Sequence, residues 1–331
     1  MAAGTVLRSL ALYDSPRPGY REASLVTQVV EFTRFGVHGT LQLGELPVYL
    51  VSMATPQLAA LCALTGAWGR APSALGAVRE CGPLLWLAVA PLVWVLARRT
   101  GLGRGWALCA VAVLALSPTA IAAARQATPE NLAALWALAA VLLALGSSSS
   151  SVPSARLASS SSVPSARLAS SSSVPLCLGV TLCMSIAVLS SPVAVALLPT
   201  VLLLCARQGG RQGDYGRVAL VAGAVLFVSG LGAATALATA SPSTLTANVH
   251  GHPPDWFGSD WLGPDLITPL LGLVGTLLAL RGSRLRPIAI GVLLLPLVGA
   301  LFGAPVAAFT VPLASVLAVQ AVAGVLAGRT P

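Results

Sequence analysis

Long apolar runs, separated by short polar segments, fill most of the chain beyond residue 80. None carries Asp, Glu, Arg or His near its centre, where one charge would cost roughly 2.5 to 3.5 kcal/mol in a membrane-spanning helix. Runs of this length and composition predict helices that cross a bilayer. The nine runs are 82–98, 105–124, 129–146, 175–190, 192–206, 217–240, 265–281, 286–302 and 306–327.

Two pairs of these runs are continuous in hydropathy and are divided only by a local break. Ser191-Pro192 divides the first pair and 303–305 (Gly-Ala-Pro) the second, since proline lacks an amide donor and glycine permits a turn. Both halves of the first pair are short, so this hairpin need not reach fully across the membrane. The pattern predicts an all-α fold, a polytopic transmembrane helical bundle of about nine spanning helices.

The composition also indicates a membrane protein. Of 331 residues, 56% are hydrophobic and 9% are charged, and the mean hydropathy is +0.85, so a water-soluble globule would lack the polar groups to cover its surface. The net charge of +9 does not indicate a nucleic-acid partner, because the arginines are scattered between apolar runs. All 19 basic residues are Arg, which is typical of a GC-rich bacterial genome.

The loop charges predict which side of the membrane each loop occupies. If the spans alternate in direction, one face holds twelve arginines and a single acid, Asp214, while the other holds seven arginines and nine acids. By the positive-inside rule the arginine-rich face is cytoplasmic. We therefore expect a multi-pass protein of the plasma membrane whose functional face is extracytoplasmic.

The composition divides the chain into four regions. Residues 1–80 form a polar outer-face loop region, and 81–146 hold the first spans. Residues 147–174 repeat the motif SSSSVPSARLA and predict a flexible cytoplasmic linker. Residues 175–331 hold the remaining spans, with an outer loop at 241–264.

Residues 47–67 are apolar but interrupted by Pro56 and Gln57, and two interpretations of this segment stay open. If it spans the membrane, the N-terminus is cytoplasmic. If it is an interfacial or re-entrant helix, the first 80 residues lie outside. A further hydrophobic span is then expected ahead of Met1, because so long a polar tail is hard to export without one.

The six cysteines lie inside or at the ends of apolar runs, without CxxC spacing. We therefore expect them to be small packing residues and expect neither a disulfide nor a bound metal. They are Cys62, Cys81, Cys109, Cys177, Cys183 and Cys205.

Five stretches, read in order, carry a resemblance to a known family. PGYREASLVTQVVEFTRFG at 18–36 resembles an outer loop with a short acidic motif followed by a helix, and PQLAALCALTGAWG at 56–69 resembles an interfacial helix. Residues 94–145 are similar to three consecutive spans, 178–204 to a broken hairpin, and 261–281 to a late loop that leads into a span. Together they resemble the GT-C class of membrane glycosyltransferases, in particular bacterial relatives of protein mannosyltransferases and lipid A aminoarabinose transferases.

The resemblance implies an enzyme that transfers a hexosyl or pentosyl group from a polyprenyl-phosphate lipid to an acceptor at the outer face. It also implies a carboxylate in the first outer loop, acting as general base or orienting the acceptor. Two features depart from the family's pattern. Its usual Asp-Glu pair appears here as Arg21-Glu22, and its first span is absent, so an N-terminally truncated gene model is the corresponding expectation.

Four residues of the acidic outer face are candidates for this chemistry. Glu22 is the first candidate for the catalytic carboxylate and Asp14 the second, although both also fit solvated loop acids. Arg125 is the candidate for the donor phosphate, which a guanidinium binds through its planar fork of donors. Glu130 is a candidate for substrate binding, but the first turn of a helix capped by Thr128 is the competing interpretation.

The loop HGHPPDWFGSDWLGPD is the richest in polar and aromatic side chains and is the candidate for sugar or acceptor contacts. Its aromatic residues fit an interfacial belt equally well. We expect no cofactor; the two histidines with a nearby Asp could ligate a divalent cation, but that spacing is common by chance. The candidate substrate-binding residues are His250, His252, Asp255, Trp256, Asp260, Trp261 and Asp265.

Two other functions stay open. The first is a catalytically degenerate GT-C-like protein that acts as a scaffold or binding subunit. The second is a transporter, which is less favoured because no ionisable group falls in the middle of a span. Membrane lipids and the polyprenyl-phosphate-linked donor are the expected partners, and the sequence names no protein partner.

Overall fold

The computed structural model describes residues 20–39, 53–146, 173–208, 218, 220–228, 230, 267–281, 285–302 and 306–327. The regular secondary structure of these residues is helical, as the hydropathy pattern predicts. Residues 220–228 form one helical segment, and the named helices are α1 (Tyr20–Gly39), α2 (Ala54–Thr65), α3 (Ala67–Arg70), α4 (Ala74–Arg99), α5 (Arg104–Leu116), α6 (Pro118–Arg125), α7 (Pro129–Gly146), α8 (Ser173–Ser190), a 3₁₀ helix (Pro192–Leu197), α9 (Leu198–Gln208), α10 (Ile267–Arg281), α11 (Arg286–Phe302) and α12 (Ala307–Leu326).

The helices match the predicted spans in position but not all of them in length. In the described part of the chain, α4, α7 and α12 are each long and apolar enough to cross a membrane, and α5 with α6 makes a fourth if this bent pair is one span. The other apolar helices are shorter, whereas about 20 residues are needed to cross the hydrocarbon core. The all-α, multi-pass membrane architecture is therefore confirmed, but the number of nine full spans is not.

The span predicted at 105–124 consists of two helices that bend by 57°. The bend lies at Ser117-Pro118, where the Ala120 amide donates a hydrogen bond to Ser117 Oγ at 3.2 Å and Pro118 occupies the first position of α6. A serine cap followed by proline begins a new helix, because proline cannot donate to the preceding turn. The bend redirects the chain so that α6 ends at Arg125.

Helix α4 begins at Ala74, well before the predicted start of its span at 82. The Gly76 amide donates to Ser73 Oγ at 3.1 Å, which caps the helix. At 26 residues α4 is about 39 Å long, more than the roughly 30 Å of the hydrocarbon core. Its first turns contain Arg79 and Glu80. The boundary predicted between the outer-face loop region (1–80) and the first spans (81–146) therefore falls inside one helix.

The break predicted at Ser191-Pro192 is confirmed, because α8 ends one residue before it and the 3₁₀ helix follows it. Other predictions lie outside the described residues. These are the break at 303–305, the linker at 147–174 up to the start of α8, the loop at 241–264 and much of the span at 217–240.

Large apolar side chains on the outside of the bundle indicate a lipid-facing surface. Soluble monomers rarely expose contiguous apolar patches of more than a few hundred Å², whereas here the exposed residues come from most of the apolar helices. The most exposed are Leu64, Leu108, Leu116, Leu178, Leu182, Leu226, Phe227, Leu297, Leu301, Val325 and Leu326.

Helices α10 and α12 approach closely through two glycines. A Cβ added at Gly275 would lie 2.6 Å from the carbonyl carbon of Leu317, and one at Gly272 would lie 2.7 Å from the Cβ of Ala314. Membrane helices use small residues in this way because van der Waals packing, rather than water exclusion, holds them together. The contact joins the two helices at the C-terminal end of the chain.

Gly275→Ala should therefore destabilise the protein by about 1 to 3 kcal/mol, the usual cost of overpacking. Gly223→Ala is the matched control, because a Cβ at Gly223 has no atom within 4 Å and alanine favours a helix. Thermal unfolding in detergent measures both variants. Equal unfolding midpoints for the two would contradict the close approach of α10 and α12.

Candidate active site

Helix α1 is amphipathic, and its buried stripe contains a charge. Leu25, Val26 and Val29 are buried while Glu31 is exposed, which is the pattern of a helix lying on a protein surface. Glu22, one turn before Leu25, falls on the same buried stripe and is only 4% exposed. A carboxylate in this position requires partners that offset its lost hydration.

Glu22 finds these partners in two distant parts of the chain. Arg79 donates from Nε to Glu22 Oε1 and from a terminal guanidinium nitrogen to Oε2, each at 2.8 Å. The Ala127 amide donates to Oε1 at 2.7 Å. Arg79 is itself completely buried, and two parallel donors match a carboxylate in the strongest arrangement for such a pair. We call Glu22, Arg79 and Ala127 the carboxylate cluster.

The carboxylate cluster joins α1, α4 and the turn between α6 and α7. Glu22 is therefore not a solvated loop acid. Arg79 is not among the residues that the sequence indicates, and the one signal for it is its position as a charged residue within the first turns of a long apolar helix. A buried arginine in such a place needs a carboxylate partner.

The hydrogen bonds of Glu22 limit the chemistry open to it. A carboxylate offers about four lone-pair sites, and at least three of those on Glu22 accept hydrogen bonds from the cluster. Such a group is well suited to orient its neighbours and less suited to abstract a proton from an incoming hydroxyl. Of the two roles implied for this position, the geometry favours orientation.

Arg125 lies beside the carboxylate cluster, at the end of α6, and is partly buried. Ala127, two residues further on, is held by the cluster. The side-chain amide of Asn131 donates to the carbonyls of Ala123 and Gln126, both at 2.9 Å. The hydrogen bonds of Ala127 and Asn131 therefore hold the turn that positions Arg125.

Glu130 lies in the first turn of α7, which begins at Pro129 as the sequence predicts. Its side chain is 3% exposed, and Ser191 Oγ donates a long hydrogen bond of 3.5 Å to Oε1. Glu130 thus connects the start of α7 to the break between α8 and the 3₁₀ helix. This arrangement supports the structural interpretation of Glu130 more than the substrate-binding one.

Gln57, one of the residues that interrupt 47–67, docks α2 against α7. Trp136 Nε1 donates to Gln57 Oε1 at 2.8 Å, and Gln57 Nε2 donates to the Met53 carbonyl at 2.8 Å. The Met53 amide in turn donates to the Leu189 carbonyl at 3.1 Å. With 12 residues α2 rises about 18 Å, well short of the hydrocarbon core, so its length favours an interfacial or re-entrant helix.

These contacts gather three segments at one end of the bundle: the N-terminal helices, the turn between α6 and α7, and the break after α8. They are the segments that the charge pattern assigns to the outer face. At the opposite ends of α4 and α7, the guanidinium of Arg99 donates to the Leu142 carbonyl. Arg98 and Arg99 therefore lie at the end predicted to be cytoplasmic.

A cavity of ≈ 330 Å³ opens beside α1, at the small end of the range for ligand sites. It lies roughly 12 to 18 Å along the helix from Glu22, by the rise of 1.5 Å per residue. The lining residues are Val30, Thr33, Arg34, Trp68, Ala71, Pro72, Ser73 and Ala74.

The remaining candidate residues lie outside the described part of the chain. These are Asp14 and the seven residues of the loop at 250–265, whose roles stay predictions. Within the described ranges, no group of three or more His, Cys, Asp or Glu residues is placed to hold a metal ion.

No family model and no curated protein matches the chain, but solved structures do. ArnT from Cupriavidus metallidurans in the apo state matches with a TM-score of 0.56 and 18% identity, over 100% of this chain and 59% of that one. The same protein bound to undecaprenyl phosphate gives 0.55 and 17%, with the same coverage of 100% and 59%. The apo oligosaccharyltransferase of Archaeoglobus fulgidus gives 0.55 and 13%, over 99% of this chain and 50% of that one.

Both neighbours are GT-C glycosyltransferases, ArnT being the lipid A aminoarabinose transferase. The likeness extends over the whole of this chain, so the chain has a GT-C-like fold, as its sequence resemblance predicts. The chain spans half to three fifths of the length of these proteins.

Removing one partner of the Glu22–Arg79 pair should destabilise the protein strongly. Glu22→Gln leaves the Arg79 cation buried without its counterion, a change that costs about 3 to 5 kcal/mol in comparable buried pairs. Glu80→Gln is the matched control on the same helix, because Glu80 pairs with the largely exposed Arg70. It should cost about 0 to 1 kcal/mol. Denaturant unfolding in detergent micelles measures both.

The double variant Glu22→Gln with Arg79→Met should recover much of the stability lost in Glu22→Gln. It removes the unpaired charge and replaces the guanidinium with an apolar chain of similar length. Equal costs for Glu22→Gln and Glu80→Gln, with no recovery in the double variant, would contradict a stabilising role of the cluster.

Proposed function

We propose that this protein is a membrane glycosyltransferase that moves a sugar from a polyprenyl-phosphate donor to an acceptor at the outer face of the plasma membrane. One observation carries the proposal. In a bundle of GT-C-like fold, the first turn of α1, with its buried carboxylate, meets the turn that presents Arg125. The two segments are 105 residues apart and are joined directly by the hydrogen bond from Ala127 to Glu22.

The groups that the site must supply follow from the bonds that the proposed reaction makes and breaks. An acceptor oxygen attacks the anomeric carbon of the sugar while the bond from that carbon to the donor phosphate breaks. The polyprenyl phosphate leaves with the bonding electron pair, and the acceptor hydroxyl gives up its proton to a base. A cation near the phosphate and an oriented carboxylate near the acceptor would both lower the barrier.

The residues in this region fit distinct parts of that reaction. Arg125 is the proposed contact to the donor phosphate, because a guanidinium offers several donors to phosphate oxygens. Glu22 is the proposed catalytic carboxylate, in an orienting role, and Asp14 is the second candidate for this carboxylate. The loop at 250–265 is proposed to contact sugar or acceptor. Undecaprenyl phosphate, which one structural neighbour binds, supports a polyprenyl-phosphate ligand.

The outer location is supported by charge. The four acids among the described residues lie in α1 and in the first turns of α4 and α7, at the end of the bundle that contains the carboxylate cluster, while Arg98, Arg99 and Arg104 lie at the other end. Positive residues are retained on the cytoplasmic side, so this distribution favours an outward-facing site.

A non-catalytic relative is the second candidate function, and one observation favours it. Arg79 and Ala127 already occupy both oxygens of Glu22, so the carboxylate could serve stability alone. In that case the protein would bind a lipid-linked ligand, or hold a partner, without transferring a sugar.

Arg125→Gln should weaken binding of undecaprenyl phosphate by roughly 10- to 100-fold, since hydrogen bonds to charged groups contribute about 1.5 to 3 kcal/mol. The measurement is a titration of the purified protein in nanodiscs with undecaprenyl phosphate. Arg104→Gln is the control, because Arg104 is exposed at the opposite end of the bundle and should leave the affinity unchanged. Equal losses in both variants would contradict the proposed phosphate contact.

A second assay separates catalysis from stability. Wild-type protein in nanodiscs is given radiolabelled undecaprenyl-phosphate-linked hexoses and pentoses, with total membrane lipid and protein as acceptors. The double variant Glu22→Gln with Arg79→Met should fold but transfer sugar at least about 100-fold more slowly, because it lacks the orienting carboxylate. Wild-type rates in the folded double variant would limit Glu22 to a structural role.

Wild-type protein that binds undecaprenyl phosphate but transfers no label from any donor would instead support the non-catalytic relative.

A further inference from the structure

Cys62 of α2 and Cys81 of α4 lie against each other in the small core beneath α1. Their sulfur atoms are 3.4 Å apart, and both side chains are completely buried. A disulfide bond is about 2.05 Å long, so the two sulfurs must approach by about 1.4 Å to bond. The contact runs between two helices rather than within one.

The pair lies at the same end of the bundle as the carboxylate cluster. Cys81 follows Arg79 by two residues on α4, and Cys62 Sγ is 3.5 Å from the Ala77 carbonyl. The sequence predicts no disulfide here, because the cysteines lie inside or at the ends of apolar runs without CxxC spacing. Helix packing brings them together instead.

We propose that Cys62 and Cys81 form a disulfide bond that fastens α2 to α4. The inference rests on the outward placement in the proposed function, because structural disulfides persist in oxidising compartments. The bond would close the chain segment that contains α3 and the start of α4. It would hold α2, and with it Gln57, in a fixed position relative to the carboxylate cluster.

The oxidation is a thiol–disulfide exchange with an external disulfide. The two cysteine thiols supply two electrons and two protons, a sulfur–sulfur bond forms between them, and the external disulfide is reduced to two thiols. Both sulfurs are inaccessible in the folded protein, so the exchange takes place while the segment folds at the membrane surface.

The test uses the full chain with Cys109, Cys177, Cys183 and Cys205 replaced by serine, expressed in bacterial cells. Cells are quenched with acid, and the protein is denatured and labelled with a maleimide polymer before or after reduction. The proposal predicts no adduct before reduction and two adducts after it. Two adducts without reduction overturn it. Cys62→Ser in the same background is the control, and its single thiol should be labelled without reduction.

Cell-free synthesis of the same chain into nanodiscs with oxidised glutathione, which is present while the segment folds, separates the two ways in which the proposal can fail. If the thiols are free in cells but join during this synthesis, the helix contact is right and the outward placement fails, together with that part of the proposed function. If they stay free in both, the disulfide is overturned while the proposed function is unaffected.

Discussion

The end of this bundle that faces α1 depends on the pairing of two buried charges. Glu22 and Arg79 would each be strongly unfavourable in an apolar core, and each removes the cost of the other. Because the Ala127 amide donates to the same carboxylate, the pair also fixes the turn that presents Arg125. The pairing of Glu22 with Arg79 is therefore required for the docking of α1 on the start of α4. It is also required for the geometry of the proposed phosphate contact.

Much of the fold follows from hydropathy, because a helix placed in lipid requires an apolar run, and these runs mark where the helices lie although several are shorter than a full span. The ends and bends of the helices do not follow from it. Ser73 extends α4 through charged residues, and Ser117-Pro118 bends an apolar run that shows no change in hydropathy. A helix cap involves only a few residues, whereas hydropathy is informative only when averaged over about 19 residues. The sequence therefore predicts the positions of the apolar helices better than the residues at which they begin, bend and end.

The site is predictable in part. The sequence indicates Glu22 and Arg125 on the same face, and a resemblance spread over the chain indicates the fold. The pairing of Glu22 with Arg79 spans 57 residues, and no local pattern encodes it. The same is true of the sulfur contact between α2 and α4, since spacing rules describe neighbouring cysteines and not helices that pack together.

The proposed chemistry requires that the end of the bundle containing the carboxylate cluster face the outside. The most direct test places a cysteine at Thr27, on the exposed side of α1, in a chain without its other accessible cysteines. Gly105→Cys, at the opposite end, is the matched control. A membrane-impermeant maleimide should label Thr27→Cys in intact cells and Gly105→Cys only after permeabilisation. The reverse pattern would place Glu22 and Arg125 in the cytoplasm and contradict the account.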